Sequence, residues 1–332
     1  MIISRTPFRI SFFGGGTDYP VYYREHGGAV LATTIDKYCY ITCRYLPPFF
    51  DHTHRIVYSQ IENVKTASEI QHPAAKAVLQ FMDVNAGVEI HHDGDLPAKT
   101  GLGSSSSFTV GLLHSIYALK GIMATKMQLA QEAIHVEQNI IKENVGSQDQ
   151  VSAAFGGFNR IDFHRDNTIK VNPVIINKEK LNQLHARMIF YFSGFSRIAS
   201  EVAEKQIENI PKKKKELSTM HQMVDEALAI LTNEHGDILD FGKLLHESWV
   251  LKRGLTEKIS TSEIDNIYEV ARRAGAVGGK LLGAGGGGFM VIFAEPEIQP
   301  RIRARLMGLL EVPFKFENQG SQIIFYQPNG FY

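Results

Sequence analysis

The chain has 332 residues, 44% of them hydrophobic and 21% charged, with 35 Lys and Arg balancing 35 Asp and Glu. That length suggests about two domains, and a formal charge of zero leaves no global field to attract nucleic acid or a membrane surface. No N-terminal basic–apolar–small cleavage pattern occurs and no apolar run approaches about 18 residues, so neither a leader nor a membrane span is expected.

Residues 2–13 read as a strand of β-branched and aromatic residues with polar ones interleaved. The strand ends in Gly14-Gly15-Gly16-Thr17-Asp18, which is either a simple turn or a tight backbone path beside a bound ligand. Arg9 on the strand and Asp18 on the loop can face one pocket, Arg9 presenting a fixed charge and Asp18 accepting hydrogen bonds from hydroxyls. Residues 28–34 and 38–44 read as two strands split by Ile35-Asp36-Lys37. Cys39 and Cys43, the only two cysteines, are expected as apolar core residues, and a reducing cytoplasm as their setting. His52, His54 and Arg55 follow Pro47-Pro48; they are either polar loop groups or a phosphate or metal cluster. A helix is expected over 73–82 and a strand over 87–92.

The central stretch is DLPAKTGLGSSSSFTVGLLHSIYAL, residues 95–119. Phe108, Leu112, Ile116 and Leu119 recur with the period of one helix face. Ser104 to Ser107 therefore stand at a helix start, where hydroxyls can cap free amides and where those amides and the helix dipole favour a phosphate. Gly101 and Gly103 allow close backbone approach. The pattern is not a Walker A loop, because no Lys follows the second Gly.

A second helix is expected over 126–142 with a stripe of Ala130, Ile134 and Ile141. Glu137 falls on that stripe, where a carboxylate must be paired, protonated or bound to a cation. Asp149 in Gly-Ser-Gln-Asp-Gln reads as an active-site acid or as a helix cap. Hairpin strands are expected over 158–163 and 168–174, and a domain boundary within 172–183. A strand over 186–192 leads through Ser-Gly-Phe-Ser-Arg197 into a long helical region reaching about Leu231. Lys212 to Lys215 read as a solvated face. Helices over 238–251 and 262–274 follow, the first ending in the basic pair Lys252-Arg253. The run Gly283-Ala-Gly-Gly-Gly-Gly288 before a strand holds more glycine than a hairpin needs, and suits a loop flanking phosphates. A helix over 298–309 and strands over 313–316 and 322–326 complete the chain.

TPFRISFFGGGTDY, DLPAKTGLGSSSSF and KLLGAGGGGF, in this order and spacing, resemble the three motifs of the GHMP small-molecule kinases. The resemblance covers essentially the whole chain. Thr17-Asp18-Tyr19 matches the sugar-contacting Thr-Asp-Tyr of galactokinases. Gly14-Gly15-Gly16 stands where those enzymes carry Gly-Glu-His, which turns the expectation away from galactose. The GGGTD form, FSGFSR and the GAGGGGF loop look most like the branch of bacterial heptose 7-phosphate kinases, and GGGTD also like fucokinases.

That resemblance implies an α+β, two-domain fold. Residues 1–180 would be like domain 2 of ribosomal protein S5 and residues 181–332 a ferredoxin-like sandwich, with ATP and sugar in the cleft between them. It implies ATP-dependent phosphorylation of the anomeric hydroxyl of a sugar phosphate, heptose 7-phosphate first. A fucokinase-like 1-kinase, an inactive sugar sensor of the same fold and a kinase for a non-sugar alcohol are the alternatives. ATP would be held by Lys99, Gly101, Leu102, Gly103, Ser104, Ser105, Ser106, Gly285 and Gly286. Mg²⁺ would be held by Ser104 (or Ser105) and Glu137. The sugar would meet Gly15, Gly16, Thr17, Asp18 and Arg197. Asp149 aligns with the acid that faces the substrate hydroxyl, with Arg9 beside it. For a distal phosphate, Arg197, Lys252, Arg253, Lys37 and the His52/His54/Arg55 cluster are the candidates. No nucleic-acid or membrane partner is implied, and a homodimer is compatible with the chain.

Overall fold

The structure is a computed structural model that describes residues 1–98, 100–194 and 199–328. In chain order the first part contains β1 (Ile2–Phe13), α1 (Pro20–His26), β2 (Gly28–Tyr45), β3 (His54–Val57), β4 (Ile61–Val64), α2 (Pro73–Phe81), β5 (Val88–Gly94), α3 (Ser104–Leu119), α4 (Lys126–His135), α5 (Gln148–Phe155), β6 (Phe158–Phe163) and β7 (Ile169–Pro173). The second contains α6 (Lys178–Ala186), β8 (Met188–Phe192), α7 (Ala199–Asn209), α8 (Lys214–Thr232), α9 (Leu239–Arg253), α10 (Ser262–Arg273), β9 (Gly278–Leu281), β10 (Phe289–Phe293), α11 (Gln299–Arg305), β11 (Leu310–Glu311), β12 (Phe316–Glu317) and β13 (Gln322–Tyr326).

β1 and β2 are long, β1 is almost wholly buried and so is the first half of β2, and together they form the spine of the first sheet. Its strand order is β13-β1-β2-β5-β3-β4, with β6 and β12 also on β2 and β7 on β6. All these pairings are antiparallel except β3 with β5. The second sheet runs β11-β8-β10-β9 and is antiparallel throughout. Numbered within itself, that order is 4-1-3-2 with helices in the two crossovers, the ferredoxin-like arrangement.

β2 is one strand where two were expected. Pro7 faces Tyr38 and Phe8 faces Ile35, so Asp36 and Lys37 form a bulge rather than a break. The bulge is held from far along the chain: Asp36 N donates to Lys315 O at 2.9 Å and Lys315 N to Asp36 Oδ1 at 2.6 Å. β12 then pairs with β2 and β13 with β1, so the last strands return to the first sheet. We propose 1–180 and 181–332 as the two bodies, with this terminal segment crossing back. The expected boundary region carries α6, capped by the Asn177 side chain, which accepts from Lys180 N. Pro211 divides the expected long helix into α7 and α8.

The main core runs from the first sheet into the second. Phe241 on α9 meets Phe12 at 5.4 Å, Phe13 at 5.1 Å and Phe293 at 6.2 Å between ring centroids. The tip of β1, where the first glycine loop starts, is therefore seated on the helix that carries Lys252. A second core gathers Trp249, Tyr268, Tyr191 and Ile292. Cys39 and Cys43 are buried free thiols in the main core, as expected, and burial pushes Cys43 up to about 12.

Candidate active site

Four segments converge on the end of β1. Arg9 is on its buried face, 4% exposed, and its guanidinium is shared between two of them. Nε and Nη2 donate to the two carboxylate oxygens of Asp149, each at 2.8 Å. Nη1 donates to the carbonyl of Gly101 at 2.7 Å, and Arg9 N to that of Leu102 at 3.1 Å. The fork geometry of guanidinium on carboxylate fixes Asp149 in orientation as well as place. Asp149 lies in the first turn of α5, behind an N-cap at Ser147; it is not itself the cap. Its carboxylate is a quarter exposed and rests against Gly103, where a Cβ would lie 3.2 Å from Oδ2.

The central and third glycine loops interlock. A Cβ on Gly101 (φ 81°) would lie 2.5 Å from Leu282 O, and one on Gly283 would lie 2.4 Å from Gly101 Cα. Phe289 N donates to Thr100 O at 3.1 Å. Lys252, almost wholly buried, donates from Nζ to Leu281 O at 3.1 Å and Gly283 O at 2.5 Å. Burial and the Arg9 charge bring its ammonium down to about 7, against the pull of Asp18 and Asp149. Lys280 donates to Phe12 O at 2.7 Å, and burial followed by the Lys252 charge lowers it strongly. Arg9 thus anchors one loop and Lys252 the other. Gly285 packs on Ile259, and Gly286 N donates to Ile259 O at 2.9 Å.

α3 starts at Ser104 because Gly103 takes the left-handed conformation (φ 74°), and no side chain caps its first amides. Ser105 is exposed, and Ser106 is buried. The expected helix over 126–142 changes to a π turn at Val136–Ile141, a feature common at functional sites. This turn carries Glu137 fully into the interior. Its Oε2 accepts from Ser106 Oγ at 2.9 Å and from the Gln150 amide, while Oε1 is buried without a partner among the described residues. Desolvation outweighs the lowering influence of the neighbouring Thr109, Ser106 and Gln150 side chains, and lifts the carboxyl to about 7. The serine seen on Glu137 is Ser106.

The first glycine loop is shaped from within. Thr17 Oγ1 donates to Gly14 O at 2.8 Å and Ala29 O at 2.9 Å and is wholly buried. Asp18 Oδ1 accepts from Gly16 N at 2.9 Å and Oδ2 from Gln148 N at 3.4 Å. Burial raises the Asp18 pKa, the Asp149 charge adding to this against the backbone amides. Gly146 abuts Asp18 so closely that a Cβ would lie 1.9 Å from Oδ2. Thr17 therefore ties the loop to β2 and Asp18 holds it against α5, with Gly15 and Gly16 in the loop itself. Lys99 and Arg197 lie outside the described residues. Lys37 is 3.5 Å from Asp36, Arg253 is bound to Asp265 at 2.9 Å, and Arg55 is 3.4 Å from Glu89.

The GHMP kinases N terminal domain matches residues 66–157, and the GHMP kinases C terminal domain residues 225–307. The chain is 30% identical over 307 residues to the D-glycero-alpha-D-manno-heptose 7-phosphate kinase of Campylobacter jejuni, covering 89% of this chain and 90% of that one. It belongs to the GHMP kinase family. This GHMP kinase is also similar to the L-fucokinase/L-fucose-1-P guanylyltransferase of Bacteroides fragilis, at 25% identity over 91% of this chain and 36% of that one. Its fold matches the crystal structure of a D-glycero-D-manno-heptose 1-phosphate kinase from Bacteroides thetaiotaomicron, with a TM-score of 0.78 and 23% identity over 97% and 98% of the two chains. The chain has the two-domain GHMP kinase fold and is an ATP-dependent sugar kinase. No helix among the described residues is long and apolar enough to cross a membrane.

GHMP kinases use ATP with a divalent metal, and the residues present fit one. Glu137 offers a buried carboxylate oxygen with no partner among the described residues, and the serines at the start of α3 add hydroxyl oxygens, a hard donor set for a cation that keeps phosphate and water ligands. Sequence reasoning had singled out Glu137 but missed Gln150 and the anchoring role of Lys252. The signal for Gln150 was its place one residue after Asp149, which turns it about 100° round α5 toward Glu137.

Proposed function

We propose that this GHMP kinase transfers the γ-phosphoryl group of ATP to the anomeric hydroxyl of D-glycero-D-manno-heptose 7-phosphate, with Mg²⁺ as the metal. The observation that carries the reaction is the Arg9–Asp149 pair, set by two 2.8 Å bonds beside Gly103 at the start of α3. Phosphoryl transfer asks the protein for placement and charge neutralisation more than for covalent help. Asp149 orients the acceptor hydroxyl and takes its proton. The first amides of α3 and the serines hold the phosphates. Glu137 with Ser106 or Ser104 holds the metal, which neutralises phosphate charge. The choice of heptose 7-phosphate rests on the relative from Campylobacter jejuni.

An unphosphorylated sugar is the second reading, because Lys252, Arg253 and Lys37, three of the cations suited to a distal phosphate, already donate to groups of the chain itself. The test is ADP release with Mg-ATP against heptose 7-phosphate, sedoheptulose 7-phosphate, mannose, fucose and galactose, with phosphorus NMR of the product. A new anomeric phosphate on heptose 7-phosphate alone supports the proposal. Turnover of fucose or mannose instead selects the second reading, and turnover of neither class refutes both.

A further inference from the structure

The two elements that bring Arg9 to Asp149 bring a second polar pair together beside them. β-strand alternation puts Ser11 on the same face as Arg9, about 6.6 Å further along β1. Gln148 precedes Asp149 in the first turn of α5. Among the described residues Ser11 Oγ, on a residue 6% exposed, has no hydrogen-bond partner, and neither has the buried Oε1 of Gln148. Groups buried in this way are nearly always satisfied.

Between them lies Gly15. A Cβ built on Gly15 would stand 3.8 Å from Ser11 Oγ and 3.8 Å from Gln148 Nε2, and no other atom of the described residues, the adjoining ones aside, comes within 4 Å. The backbone of Gly15 is not in the left-handed region. Glycine is thus not required there by conformation or by close packing; it leaves a recess. The recess opens between the Ser11 hydroxyl and the Gln148 amide, whose residue adjoins Asp149 in the first turn of α5.

We infer that Ser11 and Gln148 are specificity-determining residues that read a second hydroxyl of the acceptor, in a recess kept open by Gly15. The amide of Gln148 can donate and accept, and so can the serine hydroxyl, which suits a neutral polyol hydroxyl and not an apolar group. Asp18 is 2% exposed and each of its oxygens already accepts from a backbone amide, so Ser11 and Gln148 are the less committed groups at the recess. The inference rests on the reading that Asp149 faces the acceptor hydroxyl.

The test uses the full chain and the variants Ser11→Ala, Gln148→Leu and Gly15→Ala, with the acceptor that wild type turns over and its monodeoxy analogues. We expect each variant to raise the acceptor KM by about 10-fold, the scale of one lost hydrogen bond in a binding site. The KM for ATP should stay within about two-fold and the melting temperature should be unchanged. Wild type should discriminate against one deoxy analogue, and Ser11→Ala or Gln148→Leu should lose that discrimination. Unchanged acceptor KM in the two polar variants overturns the inference, as does discrimination equal to wild type. If Gly15→Ala unfolds, the two polar variants still decide. Turnover of mevalonate but of no sugar overturns the sugar reading alone, and the same variants are then judged on that alcohol. A wild type that turns over no acceptor overturns both.

Discussion

Replacing Glu137 by Gln should make the ligand-free protein more stable and the enzyme nearly inert. The carboxyl is fully buried and its folded pKa is about 7, against an ordinary value of 4.5. Between those two values the folded chain keeps a proton that the unfolded chain gives up, so stability falls as pH rises through that window and the loss is complete above about pH 8. At 1.36 kcal/mol per pH unit, the ionised carboxylate costs about 3 kcal/mol. Spread over the unfolding entropy of a chain this long, that is about 4 °C in melting temperature. Glu137→Gln keeps the shape and removes the charge. Its melting temperature should match wild type near pH 5 and exceed it by about 4 °C near pH 8.5. Adding Mg-ATP should reverse the order at pH 8.5, because only wild type supplies the anionic ligand. Scanning calorimetry at the two pH values, with and without Mg-ATP, reads all of this. A gap that stays constant from pH 5 to 8.5 would refute the reasoning.

Asp149→Asn should lower turnover by about 10²-fold or more with ATP binding intact; steady-state kinetics with a nucleotide-binding titration would show near-normal turnover if Asp149 were outside the mechanism. Gly101→Ala should destabilise by at least about 1 kcal/mol, because its φ of 81° and a contact of 2.5 Å to Leu282 O both oppose a Cβ; denaturant melts check it, and an unchanged midpoint counts against the interlock. His114, hydrogen-bonded to Ser321 at 3.0 Å, is held by burial at about 4, below its ordinary 6.5. The unfolded chain therefore binds its proton first, and stability is lost as pH falls from about 6.5 to 4. His114→Gln should flatten that acid limb in pH-dependent melts, and a limb of unchanged slope would assign it to other groups.

Local chemistry made the three glycine segments legible in the sequence, since multiple glycines beside a strand or a serine-rich helix start have few other uses. Glu137 stood out for a similar reason, as a charge on an apolar stripe. What periodicity could not show was the π turn that carries it inward, because that departure from the α-helical period is set by packing against α2 and α3. The serine that meets it depends on helical phase, which the left-handed Gly103 fixes, so Ser104 and Ser106 could not be told apart. The bulge at Asp36-Lys37 looked like a break because its partner, Lys315, lies at the far end of the chain. Lys252 read as half of a basic pair at a helix end and as one of several candidates for a distal phosphate. Its burial under the third loop follows from α9 packing on β9, a contact that the sequence of α9 does not announce.

The return of β13 to β1 has a consequence for biosynthesis. Met1 O accepts from Gln327 N at 2.9 Å, and Ile2 to Arg5 face Tyr326 to Gln322. β1 is therefore made long before β13 and waits for that strand before it gains its outer neighbour. Until then the edge of β1 stands open, and folding in order of synthesis, first body and then second, cannot run to completion. A ribosome stalled shortly before residue 322 would hold a chain with every catalytic residue already made and the sheet beneath Arg9 still unfinished.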